Sequence, residues 1–150
     1  MVLHISTALT DAIRAQARAA GAQECCGLLL GDAATDTALH LLPCANVAAD
    51  PLHRFEIDPA MLLAAHKAAR AGGPAIIGHY HSHPTGEPAP SSVDAAMAQG
   101  TGELWLIVGR DGTLAAWRAS PTGRLHGRFD PVEMTASPHP DLAPIATQGH

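Results

Sequence analysis

The sequence predicts an α/β fold of the α+β type, a mixed central β-sheet flanked by helices, in one domain over residues 1–132. Three observations carry that expectation. Helical stretches interleave with short apolar strands, which suits neither an all-helical bundle nor a pure β-sandwich. Two apolar runs in the C-terminal half flank Arg110-Asp111-Gly112, a tight-turn signature of an antiparallel hairpin. At 150 residues and 47% hydrophobic side chains the chain can enclose one core, and no internal repeat marks a second.

Taken in order, residues 2–5 read as a first strand. Ser6 or Thr7 can cap a helix over 8–20, with Leu9, Ile13 and Ala17 on one face and Gly21 as its stop. Residues 26–30 form a short apolar run closed by Gly31-Asp32, the pattern of a buried strand and a turn. Residues 38–43 and 53–57 are expected as two further strands around a turn-rich 46–51. Asp58 as N-cap with Pro59 at the first helical position starts a helix that Gly72-Gly73 ends. Residues 74–82 are then a strand, 84–90 a loop and 91–99 a short helix. Residues 104–108 and 114–118 make the hairpin, and 123–129 add a last strand. Residues 133–150 form a Pro-rich, flexible or loosely docked tail.

Charge and composition narrow the function. The net charge is −5, and the arginines are scattered with a single lysine, Lys67, so no basic patch awaits nucleic acid or an anionic membrane. No apolar stretch approaches a membrane span, and the first residues lack the basic and apolar blocks of a signal peptide. Three cysteines, two of them adjacent (Cys25 and Cys26), make no disulfide framework and are expected as reduced thiols of a cytoplasmic protein.

The chemistry concentrates in GHYHSHPTGEPAPSSVD, residues 78–94. His81 and His83 stand two apart, so on a strand both imidazoles leave the same face and can share one divalent ion, above all zinc. Pro84 ends the strand, and Asp94 follows at the start of a helix that can fold back. Two imidazoles, one carboxylate and an open position would make a catalytic zinc site. His79 lies on the same face one pleat deeper, so a three-histidine site is geometrically open as well. Ser91-x-x-Asp94 also reads as a helix cap with an acidic first turn. Zinc hydrolysis needs a further carboxylate to move protons, and Glu24, Glu56, Glu87 and Glu103 are the candidates. Glu24 stands at the mouth of the apolar run 26–30.

Glu24-x-Cys26-Gly27-x-Leu29-x-Gly31, followed by His81-x-His83-Pro84-x6-Ser91-x-x-Asp94, resembles the JAMM (MPN+) zinc metalloprotease family, in its short prokaryotic JAB-domain form. The resemblance covers about residues 1 to 130. It implies the JAMM/MPN, cytidine-deaminase-like architecture, with His81, His83 and Asp94 as ligands of one zinc per chain. It further implies Glu24 as general acid/base and Ser91 as the hydroxyl supporting the oxyanion. Cys26 is then a packed small residue within the Glu24 motif. The activity implied is isopeptidase or amide-bond hydrolysis at the C-terminal tail of a ubiquitin-like or sulfur-carrier protein. An extended tail of that kind could pair along a strand edge near Arg54-Phe55-Glu56. A homodimer is compatible with such a chain. The alternatives are a non-catalytic scaffold of the same fold and a metallopeptidase of small peptides.

Overall fold

The computed structural model describes residues 1–136. Among the described residues, seven strands and three helices follow in the order β1 (Val2–His4), α1 (Thr7–Ala20), β2 (Cys26–Asp32), β3 (Thr37–Cys44), α2 (Pro59–Arg70), β4 (Ala75–Ser82), α3 (Ser92–Met97), β5 (Leu104–Val108), β6 (Leu114–Ala119) and β7 (Phe129–Thr135). The sheet runs β1-β3-β2-β4-β5-β6-β7 and closes on itself, because β1 also pairs with β7. β4–β5, β1–β3 and β1–β7 are parallel and the remaining pairs antiparallel, so the sheet is mixed as expected.

The local signals act as their chemistry requires. Ser6 caps α1 by accepting from the Leu9 amide, and Gly21, at φ 62°, ends the helix with its N–H on Arg18 O. Leu9 and Ile13 of α1 bury against Leu3, Leu29, Tyr80, Leu106 and Val108 on one face of the sheet. Ala65 and Leu62 of α2 pack on Leu28 and Leu30, whose side chains leave the opposite face. Gly27 pairs with Tyr80 across β2 and β4, and a Cβ there would overlap the tyrosine hydroxyl and the edge of its ring. Its absence lets the Tyr80 hydroxyl cross β2 and donate to Gln16 Oε1 at 2.6 Å.

Parallel strands need a crossover, and residues 83–103 supply the one between β4 and β5. That crossover carries α3 and returns it to the carboxyl end of β4.

Three expectations are corrected. Residues 53–57 are not a strand, and only Ile57 forms an isolated bridge, to Asn46. Besides the backbone bond from the Val47 amide to Glu56 O, a side chain holds this segment, since Asn46 Oδ1 accepts from the Glu56 amide and Nδ2 donates to the Arg54 carbonyl. Residues 123–128 are irregular, with a turn at 126–128 and Leu125 bridging only to Phe129, and the last strand starts at Phe129 and runs to Thr135. It takes in Glu133, Met134 and Thr135, assigned to the tail by sequence, because β1 pairs with them through Val2, Leu3 and His4. The helix expected over 91–99 is shorter, Ser92–Met97, as Ala98 is already extended. The rest of the expected tail, 137–150, lies outside the described residues.

Candidate metal centre and active site

β2 and β4 bring the site together. Their antiparallel register sets Cys26 opposite His81 and Gly27 opposite Tyr80. Continued outward, the same register sets Cys25 opposite Ser82, where the Ser82 amide donates to Cys25 O at 3.1 Å. One step further, Glu24 comes alongside His83. Residues 59 positions apart in sequence thus share one end of the sheet.

His81 is fully buried and Asp94 is 2% exposed. One carboxylate oxygen, Asp94 Oδ2, stands 3.3 Å from His81 Nε2 and 3.0 Å from His83 Nε2, and the two nitrogens are 3.0 Å apart. Donors at about 2.0–2.1 Å from a tetrahedral ion lie about 3.3 Å from one another, so the spacing suits one zinc-sized cation. His83 Nδ1 lies 2.8 Å from the Glu87 carbonyl, which can only accept, so Nδ1 carries a proton, and it is loss of the second proton, at Nε2, that would turn a lone pair inward.

Asp94 reaches this point because α3 begins at Ser91. The Ser91 hydroxyl accepts from the Asp94 amide at 3.1 Å, and the Ser91 amide donates to Asp94 Oδ2 at 3.0 Å, a complete capping box. The preceding loop is pinned by Trp117 Nε1 on Pro88 O, by His126 Nε2 on Pro90 O, each at 3.0 Å, and by the Arg110 amide on Gly86 O.

Glu24 is buried, and one of its carboxylate oxygens lies within 4.8 Å of ring nitrogens of both His81 and His83. Its Oε1 has no hydrogen-bond partner among the described residues. Burial pushes its pKa up to about 7, with His83 opposing and Asp94 reinforcing the rise. Burial acts upward on Asp94 too, but the bonds from His81 and His83 outweigh it and hold that carboxyl far below the usual range. Burial lowers His81 against the pull of Asp94, whereas His83 is raised because Asp94 and the Glu87 carbonyl overcome its burial.

The other candidate carboxylates are exposed or bonded elsewhere. Glu56 is exposed, Glu87 is exposed and 3.5 Å from Arg110, and Glu103 accepts from the Gln99 and Thr101 amides and Trp105 Nε1. His79 is outside the donor group. Its ring meets Trp105 edge-on at 4.4 Å and lines a separate cleft of about 630 Å³ with Leu28, Phe55 and Met97. Burial, helped by His81, lowers its pKa to about 3. The Cys26 thiol is pushed up to about 12 by burial and the neighbouring cysteines, consistent with packing rather than nucleophilic use.

Sequence reasoning missed Asn46, whose Nδ2 donates to the Glu24 carbonyl at 2.9 Å, and Ser82, whose Oγ accepts from the adjoining Cys25 amide at 2.8 Å. Asn46 lies in a turn-rich segment with no periodicity to mark it, and Ser82 is only the middle residue of His81-x-His83. Phe55, noted only as part of a strand edge, covers His81, with ring centroids 4.2 Å apart and planes 22° from parallel.

A closed mixed sheet thus brings two strand histidines, a helix-borne aspartate and an upstream glutamate around one point. Residues 6–120 match the family described as prokaryotic homologs of the JAB domain. The chain belongs to that family. It is similar to a desampylase of Haloferax volcanii, 38% identical over 120 residues that cover 76% of this chain and 85% of the relative. It is also similar to a probable TtuB-protein conjugate cleaving protease of Thermus thermophilus, 32% identical over 77% of this chain and 75% of that one. A protein of Desulfitobacterium hafniense solved in solution superposes with a TM-score of 0.77, at 26% identity, over 91% of this chain and 93% of its own. A JAB1/MPN domain protein from Archaeoglobus fulgidus shares the fold, with a TM-score of 0.56 at 20% identity over 89% and 98% of the two chains.

Proposed function

We propose that this protein is a zinc-dependent isopeptidase that hydrolyses an amide bond at the C-terminal tail of a ubiquitin-like or sulfur-carrier protein. The observation that carries the reading is the buried Glu24 carboxylate, unpartnered at Oε1 and within 4.8 Å of the two histidine donors. The names of the relatives, a desampylase and a conjugate-cleaving protease, support the substrate class.

In this reading His81, His83 and Asp94 hold one zinc per chain. Bound zinc supplies a water of near-neutral pKa and polarises the scissile carbonyl. Glu24 takes the proton from the attacking water and delivers it to the departing amine, a double duty suited to a carboxyl poised near pH 7. Ser91 spends its oxygen lone pair on the Asp94 amide, which leaves its O–H free to donate to the carbonyl oxygen as negative charge develops. Phe55 shields His81 and excludes water from one side of the donor group. A cytoplasmic location belongs to the same reading.

The test is incubation with ubiquitin-like and sulfur-carrier proteins bearing a C-terminal extension, read by mass with and without chelator. Chelator-sensitive release of the extension is expected. Intact substrates throughout, from a protein shown to carry zinc, would overturn the substrate class.

A further inference from the structure

We propose that Asn46 is the positioning residue for Glu24, tying it to the loop over 45–58 that walls one side of the site. The inference rests on the reading of Glu24 as the proton-transfer group.

No hydrogen bond to the Glu24 carboxylate is present among the described residues, so the aim of that side chain is set by its own backbone. Two bonds hold the backbone. The Glu24 amide donates to Pro51 O at 2.8 Å, and the Glu24 carbonyl accepts from Asn46 Nδ2 at 2.9 Å. Both partners come from the same loop, which is held by backbone bonds of Val47 to Glu56 and of Asp58 to Ala45 and, through its side chain, by Asn46. Its Nδ2 also donates to Arg54 O at 3.1 Å, while its Oδ1 accepts from the Ala48 and Glu56 amides, each at 3.0 Å.

Two carbonyls can only accept and two amides can only donate, so the side-chain amide has one orientation and uses four bonds. No other natural side chain of this length offers both donors and acceptors from one planar group. The loop it organises also carries Phe55, stacked on His81. Asn46 therefore joins the proton-transfer carboxylate and the cover of a donor histidine to one segment, without touching substrate or metal donors. A small error in the aim of Glu24 slows proton transfer by about 10–100-fold, because the reacting atoms must stay within hydrogen-bond reach.

The test compares wild type with Asn46→Asp and Asn46→Ala. Asn46→Asp is isosteric and still accepts from Ala48 and Glu56, but sets a carboxylate against the Glu24 and Arg54 carbonyls. It carries the test even where Asn46→Ala unfolds. Three quantities are measured: zinc per chain after dialysis, amide exchange at Glu24 and Cys25, and kcat and KM on a sulfur-carrier protein with a C-terminal extension. For Asn46→Asp we expect full zinc, faster exchange at Glu24, a kcat lower by about 10–100-fold and a KM within about twofold. An unchanged kcat alongside active wild type overturns the proposal, and so does a fall in kcat that only tracks lost zinc. Where wild type itself cleaves nothing, the proposed function fails separately, and Asn46 is judged on exchange alone. Unchanged protection at Glu24 then overturns it, and loss of protection upholds it.

Discussion

Glu24 stands within reach of His83 because the pairing that sets Cys26 opposite His81 continues to Cys25 and Ser82, and the next residue, Glu24, then turns its backbone to Pro51 and Asn46. A carboxylate and two imidazoles that are far apart in sequence thereby share a space of 4.8 Å. Glu24→Gln keeps size and hydrogen-bonding shape but cannot carry the proton. It should bind zinc as wild type does and lose at least about 10²-fold in kcat. Metal analysis beside a cleavage assay checks this, and retained turnover would sink the mechanism.

The donor set makes a second prediction. His81→Ala and Asp94→Ala should lose bound zinc on dialysis, while His79→Ala should keep it, since His79 packs on Trp105 away from the donor atoms. Zinc lost from His79→Ala and kept by Asp94→Ala would point to a three-histidine site instead.

Stability of the metal-free protein should depend on pH through Glu24. Its folded pKa, about 7, lies above the ordinary 4.5, so the unfolded chain gives up the proton first. Relative to a neutral side chain, Glu24 is harmless below pH 4.5 and destabilises the fold increasingly up to pH 7. The chelated Glu24→Gln variant should therefore match wild type at pH 4 and exceed it by about 1–3 kcal/mol at pH 8. Denaturant titrations at the two pH values measure the gap, and an equal margin at both would refute the sign.

Phe55 offers a prediction about packing. It is 4% exposed and touches His79, His81 and Trp105. Phe55→Ala should cost about 3–5 kcal/mol, and it should also weaken zinc binding by freeing the His81 ring. A destabilised variant with undiminished zinc affinity would separate the two roles and reject the second.

Much of the site could be read locally. His81-x-His83 on a strand and Ser91-x-x-Asp94 at a helix start are short-range patterns, and strand pleat and helix capping dictate where their side chains point. The choice among four glutamates was less legible, because the burial that singles out Glu24 arises only when β2 and β4 pair. Asn46 left no pattern at all. Three of its four bonds run to backbone groups of its own loop and the fourth to the Glu24 carbonyl, and any turn-rich segment contains such residues.

The fold divides the same way. The sequence by itself determined the mixed α+β class, most element boundaries and the grouping of histidines with Asp94, since these follow from periodicity, caps and breakers within a few residues. The tertiary structure alone decided three further things: the closure of the sheet by β1 on β7, the conversion of 53–57 from strand to side-chain-held loop, and the meeting of Glu24 with His83. The first and third depend on partners dozens of residues away, and the second on a side chain 8 to 10 residues off with no periodicity to mark it. Strand register and loop anchoring are chosen by the packing of the whole chain, and no local pattern encodes them.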